Sequence, residues 1–84
     1  MENMEEKLKK ALQAMDKEDY RTSFEIFQPL AEQGHAKAQF YLGFLYRIGQ
    51  GVKQNFQKAY HWYSLAAEQG YAEAQYKVGL MYFK

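Results

Sequence analysis

The chain has no cysteine. A disulfide framework and a thiolate metal site are thereby excluded, and a reducing, cytoplasmic location is expected; a secreted or periplasmic one would require that an upstream signal peptide had been removed. Long apolar runs are missing too. Nothing approaches the roughly 18 residues of a membrane span, and the opening residues, rich in Glu and Lys, are not the basic flank and apolar core of a signal peptide. Charge of one sign is also lacking. Eleven basic and ten acidic side chains leave a net charge of +1 and are mixed along the chain, so neither nucleic acid nor an acidic membrane surface is an expected partner.

Residues that could carry chemistry are equally sparse. His35 and His61 are the only histidines, 26 positions apart, and neither has an acidic residue at a metal-ligand spacing. Ser23 and Ser64 stand at no spacing that suggests a histidine and carboxylate partner. The Gly49-x-Gly51 pair follows an expected helix, whereas phosphate-binding loops follow a strand and open a helix, so it reads as a turn. No catalytic residue, metal or cofactor is expected, and an enzyme is not the expected class.

What the chain does have is a repeat. Nine of the 29 positions from 20 to 48 recur identically 36 residues later: Ala31-Glu32-Gln33-Gly34 as Ala67-Glu68-Gln69-Gly70, Ala36, Ala38 and Gln39 as Ala72, Ala74 and Gln75, and Gly43 and Tyr46 as Gly79 and Tyr82. Self-similarity at this period signals stacked units, each too small to bury its apolar face alone. The apolar spacing is helical throughout. Asn3 and Glu6 form a capping-box pattern ahead of Met4, Leu8, Ala11, Leu12 and Met15, predicting a first helix over 3–16. Asp19 caps a second over 20–33 with Tyr20, Phe24, Phe27 and Leu30 inward, its last turn bent by Pro29. Gly34 closes that helix and Gly70 the fourth. A third helix is expected over 35–48, a fourth over 56–69 with a wide apolar arc from Phe56 to Ala67 capped by Asn55, and a fifth over 71–83. Gly43 and Gly79 sit inside helices at a cost of about 1 kcal/mol against alanine, which predicts close approach of a neighbouring helix at both.

The pattern Ala36-x-Ala38-Gln39-x-x-Leu42-Gly43-x-x-Tyr46-x-x-Gly49-x-Gly51-Val52, followed by Lys58-Ala59-x-x-Trp62-Tyr63-x-x-Ala66-Ala67-Glu68-Gln69-Gly70, closely resembles the Sel-one-like repeat (SLR), a relative of the tetratricopeptide repeat. Asn55 stands where that family usually has aspartate, and still caps a helix. The resemblance implies an all-α fold, an α-solenoid of antiparallel helix hairpins with five helices in about two and a half repeats, wound as a right-handed superhelix. Residues 1–84 would form one domain, with a divergent first pair over 3–34, a full repeat over 35–70 and the first helix of an incomplete repeat over 71–84. The structural positions would be Gly34, Ala38, Leu42, Gly43, Tyr46, Gly49, Gly51, Ala59, Trp62, Tyr63, Ala66, Gly70, Ala74 and Gly79.

The function so implied is a non-catalytic scaffold or adaptor that binds a protein or peptide on a concave face lined by the first helix of each pair. The groove positions expected from the resemblance lie near Leu8 and Leu12, at Lys37, Phe40, Phe44 and Arg47, and at Glu73, Tyr76, Leu80 and Phe83. This set is mostly apolar, which argues against capture of a C-terminal carboxylate. For Phe40 and Phe44 two placements stay open, groove or core. The alternative function is a piece of a longer solenoid or a self-associating unit. A homo-oligomer is expected through the C-terminal helix, at Val78, Met81 and Tyr82, because its apolar surface has no following helix to cover it.

Overall fold

The computed structural model describes residues 2–82. Five helices follow in order: α1 (Met4–Asp16), α2 (Tyr20–Glu32), α3 (Ala36–Ile48), α4 (Phe56–Glu68) and α5 (Ala72–Tyr82). Each forms where its apolar spacing and cap predict. Asn3 Oδ1 accepts from the Glu6 amide at 2.9 Å while Glu6 Oε1 accepts from the Asn3 amide at 3.1 Å, a reciprocal capping box. Asn55 Oδ1 likewise accepts from the Lys58 amide at 2.9 Å. His35, expected as the first residue of α3, stands one position outside it. It serves as the cap, with Nδ1 accepting from the Ala38 amide at 3.3 Å.

The turns that end α1, α2 and α4 share one hydrogen bond. The amides of Asp19, His35 and Tyr71 donate to the carbonyls of Ala14, Leu30 and Ala66 at 2.8, 3.1 and 3.1 Å. This closure needs a left-handed residue just before the donor. Gly34 and Gly70 supply it at φ 94° and 89°, whereas the first turn uses Glu18 at φ 61°, a conformation that costs a non-glycine residue about 1 kcal/mol. The α3–α4 loop is held differently. Gly49 and Gly51 take φ 72° and 75°, the Asn55 amide donates to the Tyr46 carbonyl at 2.9 Å, and Val52 packs against the core.

Each helix packs chiefly on the one before and the one after it. The result is an elongated array, 42 × 25 × 18 Å. Its core threads Leu8 and Ala11, Phe27, Leu30 and Ala31, Ala38, Phe40, Leu42, Leu45 and Tyr46, Ala59, Tyr63 and Ala66, and Ala74. Alanines alternate with large residues, so backbones approach at the small positions and rings fill the gaps between. Two expectations about this packing are corrected. Phe56 and Tyr60 do not belong to a wide buried arc on α4 but are 59% and 39% exposed, because α4 meets α3 and α5 on a narrower stripe. Gly79 has no close neighbour: a Cβ placed there meets no described atom within 4 Å.

Polar side chains tie the helices across the array. Ser23 Oγ donates to the Ala11 carbonyl at 2.7 Å, pinning α2 to α1. Gln39 Nε2 donates to the Ala31 carbonyl at 3.2 Å, and Gln75, its repeat counterpart, to the Ala67 carbonyl at 3.1 Å. The repeated glutamines thus add a side-chain bond to last-turn carbonyls that also accept from the Gly34 and Gly70 amides.

Candidate interaction surface

The expected groove residues fall into three environments. Phe40 is in the core, 6% exposed, with its ring centroid 5.5 Å from that of Tyr63 and 5.2 Å from that of Tyr71. That burial closes Phe40 to a partner, and Leu8 is buried in the same core, while Leu12 is half-buried against it. Lys37, Phe44 and Arg47 are half-buried on α3, and the Arg47 guanidinium lies over the Phe44 ring at 5.7 Å from its centroid. Glu73, Tyr76 and Leu80 are exposed on α5, Tyr76 by 66% and Leu80 by 52%. Phe83 lies outside the described residues.

The residues expected at a self-association surface are placed as follows. Val78 and Met81 are half-buried and pack in part against the core. Tyr82 ends α5, and its side chain lies outside what is described. The free stripe on α5 is Tyr76, Gly79 and Leu80.

Two polar features accompany these residues. Arg47 Nε and the Tyr63 hydroxyl are both buried without a hydrogen-bond partner. Burial pushes the Tyr63 phenol up, and the neighbouring guanidinium works against that rise. At the junction of α3 and α5, Tyr41 and Tyr71 come together with Glu73, a grouping the sequence did not suggest because neither tyrosine is kept at the repeat step: Lys77 replaces one and His35 the other. Burial, the Glu73 carboxylate and Tyr41 push the Tyr71 phenol up to about 12. The Tyr41 phenol is raised by burial, Glu73 and Asp16, in that order.

A pH dependence follows. An unfolded tyrosine ionises near its ordinary value of about 10, while the folded chain holds Tyr71 neutral until about pH 12. Over that interval the unfolded state binds fewer protons than the native state, so stability should be flat below it and fall as pH rises through it. Urea denaturation across an alkaline series checks the slope, and tyrosinate absorbance of the folded chain should show a late-titrating group.

No metal-holding group of three or more His, Cys, Asp or Glu side chains occurs among the described residues. None of the described helices is long and apolar enough to cross a membrane. A cleft of about 250 Å³ on the first hairpin is floored by Ile26, Pro29 and Leu30 and rimmed by Lys7, Lys10 and Glu25, with no lining residue from α3, α4 or α5.

Comparison with known proteins bears on this surface through the repeat. No curated protein matches the chain. A crystal structure of a Sel1 repeat protein from Oxalobacter formigenes is similar at a TM-score of 0.66 and 45% identity, covering 67% of this chain and 16% of that one. The chain thus corresponds to a small part of that longer protein. The model of the Sel1 repeat matches residues 12–35, 36–71 and 72–84. Helix pairs closed by Gly34 and Gly70, glutamine ties repeated at a 36-residue step and a glycine crossing at Gly43 are thus the local chemistry of a repeat unit, and the chain belongs to the Sel1 repeat family.

Proposed function

We propose that the chain is an interaction scaffold that binds a protein or peptide through Lys37, Phe44 and Arg47 on α3 and Glu73, Tyr76 and Leu80 on α5. Sel1 repeats are generally protein-interaction scaffolds and typically non-catalytic, which supports the class. The observation that carries the reading is the exposed Tyr76 and Leu80 pair, one turn apart on α5 and 66% and 52% open to solvent. Aromatic and arginine side chains are the usual hot spots, and Arg47 over Phe44 presents both at once. A chain without cysteine suits the cytoplasm.

Selection of peptides from a displayed library against the purified chain tests this. Phe44→Ser and Tyr76→Ser should each weaken the selected ligands by tenfold or more with the circular dichroism unchanged. Ligands that bind both variants as tightly as the parent would refute it.

A homo-oligomer through α5 is a second reading, favoured by the same exposed pair. Sedimentation across micromolar concentrations should then report a species larger than the monomer, and Leu80→Lys should return it to monomer.

A further inference from the structure

Among the described residues, Arg47 is a cation without a counter-ion. The ion pairs join Lys10 to Glu2 and Arg21 to Glu25, and neither involves it. Its place in the last turn of α3 suits the negative end of that helix, and Gln54 Nε2 donates to its carbonyl at 2.8 Å, so its backbone is satisfied. The helix end does not explain the side chain. A surface arginine keeps its head in water, yet Arg47 lies over the Phe44 ring with Nε buried and unbonded among the described residues. Beside it is the equally unbonded hydroxyl of Tyr63, a residue 0% exposed. Buried polar atoms without partners are uncommon and costly. This surface is not the face of a terminal helix, because α3 packs between α2 and α4.

Both groups lack the same thing. Nε–H can only donate, and burial pushes the Tyr63 phenol up, so its hydroxyl keeps a proton to donate. Two donors without an acceptor, next to one uncompensated positive charge, suit an oxygen that carries one negative charge. We infer that Arg47 and Tyr63 receive an aspartate or glutamate side chain of the bound peptide, with Phe44 beside them taking an apolar neighbour of that residue. This rests on the scaffold reading and names what its ligand must carry. A carboxylate matches a single cation, and the planar guanidinium can meet it along the edge that bears Nε. A phosphate, at about two negative charges, would need a second cation. Lys37, the other cation on α3, stands ten residues or about 15 Å of helix away, and Lys58 is held over the Tyr46 ring at 5.4 Å from its centroid.

The probes are peptides selected from a library displayed with its C-termini fused to the coat protein, so that only side-chain carboxylates are offered. Selection on the parent chain should return Asp or Glu at one fixed position. Synthetic amidated copies with that residue changed to Asn or Gln should bind about tenfold or more weaker. On Arg47→Gln the same change should cost nothing, and on Arg47→Lys, which keeps the charge and stem but not Nε–H, it should cost less than on the parent. Tyr63→Phe should shrink the penalty while holding or raising the melting temperature, since it removes an unpartnered hydroxyl. A penalty that persists in full on both Arg47 variants overturns the inference. So does one that vanishes on Lys37→Gln instead, a Tyr63→Phe chain that melts lower with the penalty intact, or a selected set with no fixed acid. Acid-free peptides that still lose binding to Phe44→Ser and Tyr76→Ser would leave the scaffold reading standing without the carboxylate, whereas a library that yields no binder at all would overturn both.

Discussion

Gly51→Ala should destabilise the chain by about 2–4 kcal/mol, the range of a substitution that combines backbone strain with overpacking. Two causes add. Gly51 adopts φ 75°, where an alanine is strained, and its missing Cβ is the space into which the start of α2 fits. A methyl group there would collide with the Tyr20 carbonyl oxygen and approach the Arg21 amide nitrogen to 2.9 Å. Both neighbours are backbone and cannot swing aside, so either the α3–α4 loop lifts from α2 or the first turn of α2 distorts. Gly34→Ala provides the comparison. Gly34 has a similar φ of 94° but nothing within 4 Å, so its alanine variant carries strain without collision and should lose only about 1 kcal/mol. Denaturation midpoints measured side by side isolate the collision. Equal losses would show that the loop yields freely.

The second large effect separates two glycines that look alike in the sequence. Gly43→Leu should cost about 1–3 kcal/mol or more, because the added side chain must displace the Ala59 carbonyl and the Tyr63 ring, which already stand 3.1 Å from where a Cβ would lie. Gly79→Ala should instead stabilise the chain, by up to about 1 kcal/mol, since alanine is the better helix former and the site is open. Chemical denaturation of the two variants should therefore move the midpoint in opposite directions. A stabilised Gly43→Leu, or a Gly79→Ala that loses stability, would contradict the packing described at these positions.

The same pair shows how far the sequence is legible. Helix ends were readable to within a residue or so because caps are local: Asn3, Asp19 and Asn55 act on amides three positions away. Gly43 was readable as a crossing because a glycine inside a helix costs stability and needs a cause. Gly79 carries an identical signal, yet whether a neighbour stands over it depends on what lies nearby in space. Phe40 and Phe44 posed the same difficulty one turn apart, and Tyr63 and Tyr71 closing over Phe40 placed it in the core while Phe44 stayed half-buried. Gly51 was legible as a turn glycine, but its contact with Tyr20 joins residues 31 positions apart and has no local signature. The grouping of Tyr41 and Tyr71 with Glu73 was missed for the same reason: they meet only because α5 stacks back toward α3.

Since each helix leans mainly on its immediate chain neighbours, the array has a short path to its native state. Contacts close over one hairpin at a time, so little loop entropy is lost before packing compensates, and topologies of this kind fold in microseconds to milliseconds. The same economy makes the structure graded: α3, flanked on both sides, should exchange its amide hydrogens most slowly, while α5, packed among the described residues chiefly on α4, should open first and most often. A partner held by Tyr76 and Leu80 would then be felt as slowed exchange along α5, turning the loosest turn of the array into one of its most protected.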